Sequence, residues 1–352
     1  MIGRLRSSIL IAAWVFVVSA SSVYGQDSVN GGTSPRAPEE TESIPIFRAS
    51  TQLVLVDVLA LDPKSGMPIN TLHRDDFQLS DDEHAVPLAA FDSGARYDTR
   101  PVALWLVVIC NLPGHGPHST LASGSFAGNE SLLRPALEDL DKNDRVGVAH
   151  WCDDGVAQLD LRPTKDRDAA ITTLTQVLKP VSKDVARAID NRKGELTLQR
   201  LVRLIIEDAH QSNPQPLPVV VFLHSDHTGM PLSELNLIAN EFLETSGITF
   251  GIKDKDVDEP FEGTFRNGEQ AAVLHYMCEA MGGQYYSVPK GMFSVALQSI
   301  LLQLHFRYEL GFKPSVLDGK RHKLKVEFQG AAREKYKSVR LRYRQEYIPR
   351  QN

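Results

Sequence analysis

The chain of 352 residues is poor in the features that mark several classes of protein. Its 3 cysteines are too few for a disulfide-stabilised scaffold. It contains no Gly-x-Ser-x-Gly elbow, no phosphate-binding loop and no His-Glu-x-x-His pair, so the usual motifs of hydrolases, nucleotide-binding proteins and metalloproteases are missing. Its 38 Lys and Arg do not outnumber its 44 Asp and Glu, which argues against a nucleic-acid-binding protein. We therefore expect a protein that is not an enzyme and has no nucleic-acid partner.

Long apolar runs are also scarce. The longest, Ile9 to Ala20, follows Arg4 and Arg6, and this order is typical of a cleaved signal peptide over residues 1–25. The run is too short for a stable membrane span, and no other segment approaches the roughly 20 apolar residues that a spanning helix needs. The sequence thus predicts a secreted or periplasmic protein with no membrane span.

The rest of the chain changes its hydrophobic rhythm twice. Residues 26–46 are rich in Ser, Gly, Pro and Glu and predict a disordered linker, whereas residues 47–98 contain β-strand patterns only. Residues 101–304 alternate between strands and helices, beginning with the continuous apolar run Val102–Cys110 of a strand buried on both faces. Residues 305–349 return to β-strand patterns. Because each β segment is too small to bury a core alone, we expect both to form one small β-sandwich, with the α/β domain inserted between them.

A series of motifs in this order resembles a known family. The motifs are FRASTQLVLVDVLALDP, DDFQLSDD, VALWLVVIC, LDKNDRVGVAHW, VVVFLHSD, GITFGI, LHYMCEAMGGQYYSV and YELGFKP, followed by KLKVEF, VRLRYR and YIP. Over about residues 47–349 they resemble the von Willebrand factor A-related family common in Acidobacteria. The resemblance implies a von Willebrand factor A (Rossmann-like) open sheet with helices on both faces, and a metal-dependent adhesion site at the carboxyl ends of its strands.

The ligands of that adhesion site are largely replaced in this sequence. The family's pattern implies Asp-x-Ser-x-Ser after the first strand, but Cys110, Leu112 and Gly114 stand at those positions. Thr197 and Asp226 match the Thr and the later Asp of the pattern. Since Mg²⁺ needs several hard oxygen ligands to replace its water, the sequence predicts a degenerate site that has lost Mg²⁺ and no other obligatory cofactor.

Polar side chains nevertheless gather after the predicted strands. The favoured interpretation is an exported adhesion or interaction module that binds a protein or cell-envelope component at this edge of its sheet. An alternative is a soft-metal protein for Zn²⁺ or Cu²⁺, or a metal-dependent hydrolase, built from the histidines. A third is a structural envelope component without a ligand. The predicted rim consists of Asn111, His115, His118, Thr197, His224, Asp226 and His227.

Two further features of the sequence have alternative readings. Cys110 and Cys152 end strands that we expect to be neighbours, so a disulfide is conceivable there, although adjacent parallel strands give it poor geometry. Cys278 is predicted to be a buried thiol. The basic face of the C-terminal strands is interpreted as a solvated sheet face or, alternatively, as a docking surface for an anionic envelope polymer. That face comprises Lys323, Lys325, Arg340, Arg342 and Arg344.

Overall fold

The computed structural model describes the greater part of the chain after residue 52. The described ranges are 53–93, 100–110, 130–152, 157–178, 197–213, 215–224, 232–245, 247–255, 269–289 and 292–349. The predicted signal peptide and linker, residues 1–46, lie outside these ranges. None of the described helices combines the length and the apolar composition needed to cross a bilayer.

Strands and helices of the described residues are numbered in chain order. The strands are β1 (Val54–Leu61), β2 (Phe77–Asp81), β3 (His84–Val86), β4 (Leu88–Asp92), β5 (Val102–Cys110), β6 (Arg145–Cys152), β7 (Ala157–Thr164), β8 (Leu217–His224), β9 (Ile248–Lys255), β10 (Tyr285–Pro289), β11 (Tyr308–Phe312), β12 (His322–Phe328), β13 (Arg340–Arg342) and β14 (Glu346–Tyr347). The helices are α1 (Glu130–Glu138), α2 (Arg167–Val177), α3 (Leu198–Gln211), α4 (Leu232–Leu243), α5 (Glu269–Ala280), α6 (Phe293–Leu304) and α7 (Gly330–Lys335), and a short 3-10 helix covers Arg74–Asp76.

The central layer is a six-stranded sheet in the order β10-β9-β8-β5-β6-β7. All neighbours run parallel except the edge strand β7, which runs antiparallel to β6. Alternate residues of β5 enter two different cores, because successive side chains of a strand point to opposite faces. Leu104 and Leu106 pack with helices α1, α2 and α6, while Trp105 and Val107 pack with α3, α4 and α5. Helices therefore cover both faces of the sheet.

The two ends of the chain combine in a β-sandwich. One of its sheets has the order β13-β1-β11-β4 and the other β14-β12-β2-β3. Strand β1 pairs antiparallel with β11, and β2 pairs antiparallel with β12, so each sheet joins N-terminal and C-terminal segments. Val56, Phe77 and Leu310 are among the buried residues of the core between them. The predicted fold class, an open α/β sheet with helices on both faces and a small flanking β-sandwich, is confirmed.

The structure departs from the expected elements in two places. The first concerns residues 85–91, whose sequence pattern predicts one strand: the chain is interrupted at Pro87, and β3 and β4 belong to different sheets of the sandwich. Pro87 has no N–H group to donate to a neighbouring strand. The chain can therefore pass from one sheet to the other at this residue without losing an N–H hydrogen bond. Helix α2 was not expected from the sequence. It begins where the Asp166 side chain accepts a hydrogen bond from Ala169 N at 3.0 Å.

The prediction of a uniformly solvated basic face on the C-terminal strands is wrong. Lys323, Lys325 and Arg340 are exposed, but Arg342 is half-buried and Arg344 is buried. Arg344 donates hydrogen bonds to the carbonyl oxygens of Thr245, at 2.6 Å, and Leu55, at 2.7 Å. Thr245 precedes β9 and Leu55 lies in β1. The buried guanidinium of Arg344 thus joins the α/β unit to the sandwich, and its hydrogen bonds satisfy backbone carbonyls on both sides.

Candidate functional site

The strand order places a reversal of chain direction between β5 and β8. From β5 the chain proceeds through β6 to the edge strand β7, and it then returns to the other side of β5 as β8, continuing to β9 and β10. In open α/β sheets, the loops that leave two such central strands diverge to opposite faces and leave a crevice at the carboxyl ends of the strands. The carboxyl edge of this sheet, at the ends of β5 and β8, is therefore the candidate functional site.

The register brings the ends of these strands into one row. Ile109 of β5 pairs with His224, the last residue of β8. Cys110, the last residue of β5, pairs with Cys152, the last residue of β6. His224 also pairs with Lys253 of β9. The segments that leave β5 and β8 thus start side by side, as expected for a common rim.

Most of the predicted rim follows these strand ends. Of the predicted rim residues, the structure describes the backbone of His224, which ends β8, and both the backbone and the side chain of Thr197. The other predicted rim residues lie outside the described residues, and so the convergence of their side chains remains a prediction. They are Asn111, His115, His118, Asp226 and His227.

Thr197 is the N-cap of helix α3. Its hydroxyl accepts a hydrogen bond from Arg200 N at 3.2 Å, which satisfies one of the free N–H groups of the first turn. Helix α3 ends at Gln211 and β8 begins at Leu217, so the helix runs back along the sheet, antiparallel to β8. Its first residue consequently lies toward the carboxyl edge. The fold thus places Thr197 at the predicted edge, and its exposed side chain has a structural role there.

His150 illustrates a histidine near this edge that already has a partner. It lies in β6, and its Nδ1 is 2.8 Å from Oδ2 of Asp160 in the neighbouring edge strand β7. Both side chains are largely buried, with exposed fractions of 19% and 10%. The bond holds the imidazole between the two strands. This contact gives His150 a structural role.

The opposite, amino edge of the sheet faces the sandwich and is rich in buried charge. Asp144, just before β6, accepts hydrogen bonds from Val102 N at 2.7 Å and from Asp141 N at 2.9 Å. Arg307, just before β11, donates to Gly282 O at 2.7 Å. A cavity of about 90 Å³ lies at this edge. The lining residues are Asp57, Asp92, Arg100, Val102, Asp141, Asp144, Leu217, Leu304, His305, Arg307 and Glu309.

Burial shifts the pKa values of several groups around this cavity. It raises the pKa of the Asp57 carboxyl, an effect that Arg307 partly offsets. It also raises the pKa of Glu309 to about 7, with a further contribution from the negative charge of Asp57. The pKa of His305 is raised because Asp144 stabilises the charged imidazolium. The amino edge therefore holds one carboxyl, that of Glu309, that titrates near neutral pH.

The sequence analysis did not identify this charged junction. One signal was present: Asp57 is the only charged residue in the apolar run TQLVLVDVLAL. A lone carboxylate in a strand that is apolar on both faces indicates a buried charge with a specific environment. The residues that balance it, Arg307 and Arg344, are 250 and 287 residues away in the chain, so only the fold brings them together.

Cys278 is buried, as predicted. It lies on helix α5 and packs in the core with Leu274 and Met277. Burial raises the pKa of its thiol, so the nucleophilic thiolate is strongly disfavoured at neutral pH. Cys278 is therefore a core residue and does not belong to the candidate site.

The comparisons with known proteins give similarities in structure only. No protein-family model and no curated protein sequence matches the chain. A von Willebrand factor type A protein from Catenulispora acidiphila is similar over 86% of this chain and 74% of its own, with 9% identity and a TM-score of 0.40. BatB from Bacteroides thetaiotaomicron is similar over 58% of this chain and 97% of its own, with 14% identity and a TM-score of 0.38.

Another similar structure is the vWF domain of the type V pili tip protein Mfa5 from Porphyromonas gingivalis. It covers 58% of this chain and 95% of its own, with 8% identity and a TM-score of 0.34. The TM-scores of these three structures are 0.40 or lower. At such identities and TM-scores they carry no information about the partner or ligand of this chain.

Proposed function

We propose that the chain is an exported, non-enzymatic interaction module that binds a protein or cell-envelope partner at the carboxyl edge of its six-stranded sheet. The observation that supports this most is the chain reversal between β5 and β8, which sets the ends of both strands side by side. Apart from Thr197, the N-cap of α3, the predicted rim residues lie at or after those strand ends. The proposed contacts are Asn111, His115, His118, Thr197, His224, Asp226 and His227.

The proposal includes binding without Mg²⁺. The chemistry of the donor set supports this part, because Cys110, Leu112 and Gly114 stand where the resemblance implies Asp and two Ser. Thiol and apolar groups do not replace the hydration shell of Mg²⁺. The Thr197 hydroxyl, a potential oxygen ligand, is engaged as a helix cap. We therefore propose that the polar rim residues contact the partner directly, without a bridging Mg²⁺ ion.

Site-specific photo-crosslinking in the producing bacterium tests this proposal. A photoreactive amino acid at position 115 or 227 should give an adduct with one discrete partner. The same amino acid in place of Val316, an exposed residue of the sandwich, should not give that adduct. The adduct should persist in the presence of a chelator. Equal adducts at all three positions, no adduct at the rim, or loss on chelation would each contradict the proposal.

The soft-metal alternative makes a different prediction at the same edge. If the rim histidines hold Zn²⁺ or Cu²⁺, one ion per chain should be lost when His115 or His227 is replaced by alanine. Elemental analysis of the purified mature protein, compared with the two variants, distinguishes the alternatives. Metal content that these variants leave unchanged would exclude the rim as its source.

A further inference from the structure

A compact group of metal-ligating side chains lies in the β-sandwich, outside both edges of the central sheet. Asp81 is the last residue of β2, Asp82 begins the turn to β3, and His322 is the first residue of β12. Two hydrogen bonds fasten the turn to β12: Lys323 N donates to Asp82 Oδ1 at 2.9 Å, and Asp82 N donates to Lys323 O at 2.9 Å. The backbone thus fixes two carboxylates beside one imidazole.

The potential ligand atoms have spacings suited to one small cation. Nδ1 of His322 is 2.7 Å from Oδ2 of Asp82 and 3.9 Å from Oδ1 of Asp81. One ligand atom from each residue lies within 4.8 Å of the other two. Bonds of about 2.0–2.2 Å in a tetrahedral site place neighbouring ligand atoms roughly 3.3 Å apart. The observed 2.7 and 3.9 Å lie on either side of that value, so rotations of the side chains suffice to reach it.

An independent observation at this place is a buried oxygen without a donor. The Asp81 side chain is only 1% exposed. Its Oδ2 accepts from Tyr347 Oη at 3.0 Å and from Ser315 Oγ at 3.2 Å. Its Oδ1 has no hydrogen-bond partner among the described residues. Leaving a buried carboxylate oxygen unsatisfied is costly, and a cation at this position removes that cost.

The far side of the imidazole has the partner that a metal-binding histidine usually has. Nε2 of His322 is 3.0 Å from Oδ1 of Asp318. Donation from Nε2 to a carboxylate fixes the ring and leaves the Nδ1 lone pair for a metal. A doubly protonated ring also bonds to both Asp82 and Asp318, but it leaves Asp81 Oδ1 3.9 Å away without a donor. A cation at this position satisfies all three groups.

We propose that Asp81, Asp82 and His322 bind one divalent transition-metal ion of the Zn²⁺ type, with water in the remaining position and Asp318 positioning the imidazole. Two carboxylates balance the charge of the ion, and the imidazole ligand favours Zn²⁺ over Mg²⁺. The ion joins residues 240 positions apart and so fastens the N-terminal half of the sandwich to its C-terminal half.

The second mixed cluster of the described residues does not meet the same criteria. It consists of Asp141, Asp144 and His305. Both oxygens of Asp144 already accept backbone hydrogen bonds, from Val102 N and Asp141 N. This cluster therefore provides a matched control, because it combines the same residue types without a free buried oxygen.

Equilibrium dialysis of the tag-free mature protein against Zn²⁺ tests the proposal. We expect one Zn²⁺ per chain that resists exchange with Mg²⁺, and an increase in the melting temperature on binding. Asp82→Asn and His322→Gln should each weaken Zn²⁺ binding at least tenfold. The first variant is the safer one, because the Asp82 side chain is 51% exposed and Asn tolerates its φ of 44°. His305→Gln and His227→Gln should leave this binding unchanged.

A spectroscopic measurement on the wild type keeps the test independent of the folding of any variant. The protein loaded with one Cu²⁺ should show coupling to a single imidazole nitrogen in electron paramagnetic resonance. Absence of Zn²⁺ binding at 1 mM, binding that survives both Asp82→Asn and His322→Gln, or a copper signal without nitrogen coupling would overturn the proposal. Binding lost only in His227→Gln would also overturn it and would assign the metal to the rim instead.

Discussion

The two edges of the six-stranded sheet use polar residues in different ways. At the amino edge, the sandwich covers the strand ends. Arg307 and Arg344 bind backbone carbonyls of both parts, and Asp144 binds backbone N–H groups of the α/β unit. At the carboxyl edge, the described residues reach the ends of β5, β6 and β8, and histidines follow along the chain. The charges of the amino edge join two parts of one protein, whereas we propose that the polar residues of the carboxyl edge face a partner.

The difference has a general physical basis. A buried charge is tolerated only where hydrogen bonds replace its water. The carbonyl oxygens of Leu55, Asp57, Thr245 and Gly282 accept such bonds from Arg307 and Arg344. A junction of this kind stabilises the fold, but its polar groups are already used within the protein. We propose that recognition takes place at the other edge, beside the chain reversal between β5 and β8.

The largest effect is expected from breaking the amino-edge junction. Arg344→Ala leaves the carbonyl oxygens of Thr245 and Leu55 without their donor and removes a buried side chain. We expect the free energy of unfolding to fall by about 3 kcal/mol. Urea denaturation measures it, and Arg340→Ala, at an exposed position of the same segment, should change it by less than about 0.5 kcal/mol. Similar losses in both variants would mean that the junction is not specifically stabilised by Arg344.

The next effect is a dependence of stability on pH. The pKa of Glu309 is raised to about 7 in the folded protein, from its usual 4.5 in the unfolded chain. Between these pH values the carboxyl is protonated in the folded protein and ionised in the unfolded chain. Stability should therefore be highest at mildly acid pH and fall as the pH rises toward 7, by on the order of 2 kcal/mol. His305, whose pKa is also raised, acts in the same direction, since its contribution is lost as the pH rises above its folded pKa.

Glu309→Gln mimics the protonated carboxyl and should flatten this profile between pH 5 and 7.5, as read from urea midpoints at each pH. The groups that set the shift of Glu309 are Asp57, Arg100 and Asp92, and those around His305 are Asp141 and Asp144. A profile in the variant as steep as that in the wild type would place the titrating group elsewhere.

A smaller effect separates two roles of Thr197 at the carboxyl edge. Thr197→Ala removes the cap of α3 and should lower the free energy of unfolding by about 1 kcal/mol, while Thr197→Ser should restore it. If Thr197 also contacts the partner, Thr197→Ala should reduce crosslinking from position 115 at least threefold at a temperature where the variant is folded. Unchanged crosslinking would restrict Thr197 to capping.

The smallest effect is expected on the helical surface, away from both edges. Nη1 of Arg134, in α1, lies 2.7 Å from Oδ1 of Asp168, but the Arg134 side chain is 51% exposed and the Asp168 side chain is 73% exposed. Because water screens such a pair, Arg134→Ala should change the free energy of unfolding by less than about 0.5 kcal/mol in urea denaturation. A larger loss would show that ion pairs outside the junction also carry much of the stability.

Much of the fold was predictable because its elements are encoded locally. The apolar run Val102–Cys110 coincides with β5, and Tyr308–Phe312 coincides with β11. The division at Pro87 and the helix at Arg167–Val177 were not predicted, because the choice of sheet and a weakly amphipathic helix depend on packing partners distant in the sequence. For the candidate site, the sequence predicted the edge and its residues, and the structure describes the strand ends that lead to it.

The sequence by itself determined most of the strands and helices, that the two β segments needed each other, and which strand ends precede the candidate rim. Periodicity and burial of apolar side chains are sufficient for these conclusions. Only the tertiary structure decided that Arg344 is buried, that Asp57 lies beside Arg307, and that Asp81 and Asp82 meet His322. The physical reason is that the environment of a charge depends on neighbours hundreds of residues away, which no local pattern records.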